Sequence, residues 1–252
     1  MIFPRRILLL CALVAALALS GCTESDGSEV PEGAAGDGGP AFENVEPDAI
    51  TLGVLAGGEA LPLLVADHHD LFSAAGVEAR IVRFDTAEAR DAALTSGEID
   101  AFVGGIDSAA ALEAAGTQVA MVSVVAEPAL TVDSTATPVT GLDPAAFGLG
   151  DEGAYLVISD RYIALPSGLL AARAVLEALD AAVVRIQGDP GAYRGMLAEA
   201  AGRDDVVVAG EAYPASASPG VTEVGRLLQE IAAAQPGAAA LAVDDLVLDI
   251  GR

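Results

Sequence analysis

From Ile50 onward the apolar positions fall into two alternating rhythms. The run "ITLGVLAG" (50–57) is continuous, short and closed by glycine, the pattern of a strand buried on both faces. "LPLLVADHHDLFSAAG" (61–76) then places Leu61, Leu64, Val65, His68 and Phe72 on one helical face, with Gly76 as the stop. A strand over 77–84 follows, and Asp85, with Glu88 three residues on, predicts the cap of a helix that runs to Gly97. The runs 99–105, 107–116 and 119–127 read in turn as strand, helix and strand. Strands alternating with helices through short connections predict an α/β fold with parallel pairing by right-handed crossovers.

Further along, Leu169, Ala172, Leu176, Leu179, Val183 and Ile186 recur at helical spacing, and Arg173 and Glu177 fall i,i+4 on the polar side. Asp189–Pro190 has the grammar of a helix cap followed by proline in the first turn, and Ser218–Pro219 repeats it before Val221, Val224, Leu228 and Ile231. These stripes describe a core and imply no chemistry.

In open α/β sheets the ligand site lies beyond the carboxyl ends of the strands, where loops run into helix N-termini. Gly104 and Gly105 close the strand at 99–105, and Asp107 or Ser108 opens the next helix, leaving backbone N–H groups to meet a ligand. Gly57 and Gly58 hold the equivalent place after the first strand and permit close approach to the backbone, with Glu59 beside them. The same glycines also serve simply as tight turns, with Ser108 as a cap.

The N-terminus changes the picture. Arg5 and Arg6 precede a 13-residue apolar run, "ILLLCALVAALAL", shorter than the roughly 20 residues a spanning helix needs. "LSGC" (19–22) follows, and the whole resembles a bacterial lipoprotein signal. That resemblance implies cleavage after residue 21 and acylation of Cys22, anchoring the chain to a membrane outside the cytoplasm. Residues 22–48 carry Gly, Pro, Ser and acids with almost nothing apolar, the composition of a flexible acidic tether ahead of a domain over 49–252. Cys11 and Cys22 are the two cysteines, so the domain has neither a disulfide nor a cysteine metal site to offer.

Charge narrows the partners. Twelve basic residues face 37 acidic ones, a formal charge of −25, which excludes nucleic acid as a natural partner. "DHHD" (67–70) holds both histidines, but neighbouring helical residues diverge by about 100°, so packing of His68 on the apolar face is favoured over a metal site. The acid pairs Asp204–Asp205 and Asp244–Asp245 read as solvated surface. Ser159 and Ser167 lack a nucleophile elbow and a partnering histidine, and "GDGG" and "GLGDEG" lack the strand–helix setting of a nucleotide loop. No cofactor and no catalytic residue is indicated.

The stretch 50–127, with "DLFSAAG" closing one helix and "ALTSGEID" (93–100) closing another, resembles the first lobe of extracytoplasmic substrate-binding proteins of ABC transporters, in the nitrate, sulfonate and thiamine-precursor branch. "YLVISDRYIALPSGLLAARAVLEALDAAVVRIQGDPGAYRGMLAE" (155–199) resembles that family's return strand and the long helices closing the first lobe, and 213–231 and 244–250 its C-terminal helix and tail. The resemblance implies a Rossmann-like lobe of the type II periplasmic binding fold: a five-stranded mixed sheet, order 2-1-3-5-4, with the return strand antiparallel, flanked by helices. Such proteins carry a second α/β lobe between these blocks. Here only 128–154 separates them, with Pro128, Pro138 and Pro144 and no strand–helix pattern, so a short loop is expected in its place.

The function implied is a lipoprotein that binds a small polar or heteroaromatic solute for an ABC importer, with permease subunits as partners. Gly57, Gly58, Glu59, Gly104, Gly105, Asp107 and Ser108 are the candidate ligand-binding residues. The acidity of Glu59 and Asp107 disfavours a simple oxyanion and favours an amine-bearing or aminopyrimidine-like solute. Two alternatives stay open: an accessory lipoprotein that docks partners after losing its ligand, and an enzyme akin to pyrimidine-precursor synthases of the same fold.

Overall fold

In the computed structural model, residues 45–127, 153–202, 204, 208, 210–215, 219–234 and 241–250 are described. The expected signal peptide, the acylated Cys22, most of the tether and the 128–152 segment fall outside them.

One five-stranded sheet organises the domain: β1 (Ile50–Leu55), β2 (Ala79–Phe84), β3 (Ala101–Gly104), β4 (Val119–Ala126) and β5 (Ala154–Ser159). Their order is β2-β1-β3-β5-β4. β1 pairs in parallel with β2 and β3, while β5 runs antiparallel between β3 and β4, as expected. Every residue of β3 and β5 is buried, which explains their unbroken apolar runs: both sheet faces are covered. Ala126 stands opposite Ala154, so the chain leaves β4 and re-enters β5 at one end of the sheet.

The helices form two layers. On one face lie α1 (Leu61–His68), α2 (Leu71–Ala74), α6 (Pro166–Gly188) and α7 (Arg194–Ala201), packed on Leu52, Val54, Val103 and Leu156. On the other lie α3 (Ala87–Ser96), α4 (Ile106–Ala114), α8 (Val221–Ala234) and α9 (Val243–Leu246), packed on Phe102, Met121 and Val157. The one-turn helix α5 (Asp160–Ile163) links β5 to α6. The tail beyond α9 runs along β4, where Val247 bridges Met121 and the Leu248 N–H donates to the Met121 carbonyl at 3.1 Å, covering a sheet edge.

Local departures from the sequence pattern have local causes. The helix expected over 61–76 breaks after His68, because Asp70 takes the left-handed conformation at φ 54°. His68, the last residue of α1, is exposed and off the core, and His69 bonds through Nε2 to the Tyr193 hydroxyl at 3.1 Å. Thr86, not Asp85, caps α3: its Oγ1 accepts from the Ala89 N–H at 3.2 Å. α4 begins at Ile106 with Gly105 as its cap, so Asp107 and Ser108 sit inside the first turn. Arg173 donates its Nε–H to the Ile250 carbonyl at 2.7 Å, pinning the tail to α6. Val221 is 57% exposed, one turn ahead of the buried Val224, Leu228 and Ile231.

The "GEID" motif proves to be a structural joint. Gly97 ends α3 at φ 86°, where a side chain would be strained. Arg161 reaches across to donate to the carbonyls of Leu94 and Ile99. The Asp100 carboxylate accepts from the Thr51 N–H at 2.9 Å, so one short stretch stitches β1, α3, β3 and α5 together.

Candidate functional site

The carboxyl ends of β1 and β3 lie side by side, as the parallel pairing of Leu52 with Ala101 and Gly53 with Phe102 requires. After β1 the chain turns through Gly57 into a single 3-10 turn, Gly58–Ala60. After β3, Gly105 caps α4 without a side-chain bond, so the first-turn N–H groups have no helical partner. Asp107 is exposed in that turn, where a carboxylate suits the helix dipole.

Arg90 of α3 occupies the space beneath this rim and is 1% exposed. Its Nη1 donates to the Val103 carbonyl at 3.0 Å, and its Nη2 donates to the Ser108 Oγ at 2.6 Å. Both Nε and Nη2 donate to the Asp91 carboxylate, at 3.0 and 2.9 Å. The guanidinium carbon stands 4.1 Å from the centre of the Phe102 ring, within cation–π range. A buried guanidinium is tolerable only when paired and bonded in this way. Room for it comes from two strand glycines: a Cβ on Gly104 would lie 2.5 Å from Nη1, and one on Gly53 would lie 3.2 Å from Cγ.

Glu59 faces this cluster from the 3-10 turn. Burial raises its carboxyl to about 7, the positive charge of Arg90 opposes the shift, and Asp107 adds to it. Tyr213 closes another side: its hydroxyl donates to the Gly58 carbonyl at 2.9 Å, and burial, with the nearby Glu59, pushes its ionisation upward. The hook that carries Tyr213 is fastened at two further points. The Glu127 N–H donates to the Ala212 carbonyl at 2.8 Å, and Gln187 donates to the Tyr213 carbonyl at 2.8 Å.

Of the residues singled out from the sequence, Glu59, Gly104, Asp107 and Ser108 meet around Arg90, and Gly58 joins them through Tyr213. Gly57 and Gly105 serve as helix caps, and Asp107 Oδ1 lies so near Gly105 that a Cβ there would come within 2.5 Å of it. Arg90 and Tyr213 escaped the sequence reading. The signal for Arg90 was present: it lies three and four residues before the buried Ala93 and Leu94, on the core side of α3. Two cavities, of about 420 Å³ beside Asp67–Ala79 and about 440 Å³ along α6 near Pro47, lie away from this cluster. Among the described residues no group of three or more His, Cys, Asp or Glu is arranged to hold a metal, and no helix is long and apolar enough to cross a membrane.

No family model matches the sequence, and no curated protein matches it either. Solved structures do. The alkanesulfonate-binding protein SsuA from Xanthomonas axonopodis pv. citri, bound to MOPS, superposes with a TM-score of 0.57 at 16% identity, over 80% of this chain and 98% of that one. The periplasmic aliphatic sulphonate binding protein SsuA from Escherichia coli gives 0.56 at 13% identity, over 80% and 98%. The ligand-binding component of an ABC-type import system from Staphylococcus aureus gives 0.56 at 13%, over 80% and 97%. The chain thus has the fold of ABC-transporter substrate-binding proteins.

Proposed function

We propose that this chain is a solute-binding lipoprotein of an ABC import system, held at the cell envelope by acylated Cys22 and working with permease subunits. It binds a small polar or heteroaromatic solute at the carboxyl ends of β1 and β3, through Glu59, Asp107, Ser108 and the glycine-rich turns beside them. On this reading residues 128–154 are a short loop in place of the second lobe that the family resemblance implies, and the domain over 49–252 works as a single lobe. The observation that carries the reading is the convergence of Glu59, Asp107 and Ser108 on the buried Arg90 at the strand ends. The fold shared with sulfonate-binding proteins supports it.

A thermal-shift screen of the purified chain against amines, pyrimidines and sulfonates tests the proposal. A solute that raises the melting temperature, with the rise abolished in Asp107→Ala, supports it; silence across the panel overturns it. One observation favours the accessory, partner-docking alternative: Arg90, Ser108 and Tyr213 are already bonded within the chain. Silence in the screen is the outcome that alternative expects.

A further inference from the structure

The turn that would meet a solute after β1 is not open in this structure. Gly57, Gly58 and Ala60 are buried and Glu59 is half-buried. The Gly58 carbonyl, the acceptor such a turn would present, already takes the Tyr213 hydroxyl at 2.9 Å. Tyr213 is itself 2% exposed, and Glu59 stands close enough for its charge to act on the phenol. One aromatic side chain therefore borders two of the residues singled out for binding, Gly58 and Glu59.

The hook that carries this phenol is held mainly from outside itself. Its own backbone makes one 3-10 bond, from the Tyr213 N–H to the Gly210 carbonyl at 3.2 Å. The other bonds reach it from three separate places: the Gly58 carbonyl after β1, the Glu127 N–H after β4, which donates to the Ala212 carbonyl at 2.8 Å, and Gln187 at the end of α6, which donates to the Tyr213 carbonyl at 2.8 Å. Gly210 lies flush on α6, where a Cβ would come within 3.2 Å of the Gln187 Cα. Among the described residues no strand ladder and no helix longer than one turn fixes the hook. Each of its bonds is worth only about 2- to 10-fold in an equilibrium. Segments held in this way open by local unfolding well before the domain does.

We propose that Tyr213 is an autoinhibitory latch on the binding site proposed above, on which this inference rests. With the hook down, the phenol fills the solute's place over Gly58 and Glu59, and capture requires the hook to lift. The exchange at the Gly58 carbonyl is one hydrogen bond for another, a donor of the solute replacing the phenol O–H. Only the lifted fraction of molecules is competent, so the latch lowers the apparent affinity by that fraction. Weakening the latch therefore tightens binding, the opposite of what losing a ligand contact does.

Thiol accessibility in the full chain, with Cys11 and Cys22 replaced by serine, reads the latch without any solute. The thiol of Glu59→Cys is expected to react with iodoacetamide far more slowly than a free thiol. Tyr213→Phe, which removes the hydroxyl alone, is expected to speed the reaction about 2- to 10-fold, and Tyr213→Ala further. The thiol of Ala110→Cys, buried in the opposite layer, is expected to keep its rate in both. Free-thiol reactivity with Tyr213 intact, or a rate unmoved by either Tyr213 variant, overturns the latch. Equal acceleration at Ala110→Cys also overturns it, because Tyr213 would then support the fold as a whole. Calorimetry with cytosine and with ethanesulfonate judges the solute side. A probe that binds the parent chain is expected to bind Tyr213→Phe about 2- to 10-fold more tightly. Weaker binding overturns the latch and makes Tyr213 a ligand contact. Failure of both probes in both chains counts against the binding function, while the thiol rates still decide whether the hook lifts.

Discussion

The Nη2 of Arg90 lies 2.6 Å from the Oγ of Ser108, a bond that ties the first turn of α3 to the first turn of α4 across the end of β3. A charged group in this position does what a turn of apolar side chains cannot: it satisfies a strand-end carbonyl and a buried hydroxyl at once. The rim at the strand ends is held by a buried ionic bolt.

Removal of that bolt is expected to be costly. Arg90→Met leaves the Val103 carbonyl and Ser108 hydroxyl unpaired and Asp91 uncompensated, so unfolding free energy should fall by about 3–5 kcal/mol. Gly104→Ala should cost about 1–3 kcal/mol, because the new Cβ would meet Nη1 at 2.5 Å and Phe102 at 3.0 Å. Urea unfolding followed by circular dichroism measures both.

Glu59 gives a pH signature. Its carboxyl ionises at about 7 when folded and at about 4.5 when exposed, so between these values the folded chain holds the extra proton. Stability from this group falls as pH rises through that window and then levels, by about 3 kcal/mol in all. Glu59→Gln cannot ionise. Its melting temperature should match the parent chain near pH 4 and exceed it at pH 8.

Gly97 carries the stop of α3 at φ 86°, with the Arg161 guanidinium 2.7 Å from where its Cβ would be. Gly97→Ala should cost about 1–2 kcal/mol for the left-handed backbone. Hydrogen exchange should quicken at Gly97, Glu98 and Ile99, whose N–H groups bond back to Ala93.

Acylation at Cys22 is testable apart from the fold. Expressed in a bacterial host, the chain should partition with membranes and carry the mass of a lipid on residue 22. Cys22→Ser should shift it to the soluble fraction with the lipid mass lost.

The strands were legible because buried strands advertise themselves as unbroken apolar runs, while their order was what the family resemblance of the "GEID" and return-strand blocks implied. The site was half legible. Glycines at strand ends and acids beside them are visible as a pattern, so Gly58, Glu59, Asp107 and Ser108 could be named. Arg90 was not: its spacing to Ala93 and Leu94 marks the core side of the helix, but the strand glycines that admit a guanidinium there, Gly53 and Gly104, are brought beneath it only by the fold. Tyr213 joins the site from 155 residues away in sequence, a distance no local pattern encodes. His68 was placed inward by helical spacing, but it is the last residue of α1 and is exposed there.

The most direct test of solute binding at the strand ends is a titration followed by backbone amide NMR shifts, using the solutes of the thermal screen. The expected result is saturable movement of the amides of Gly58–Ala60 and Ile106–Ser108, with the cavity residues Asp67–Ala79 unmoved. Shifts confined to Asp67–Ala79 or to α6, or amides at the strand ends that stay still with every solute, would contradict it.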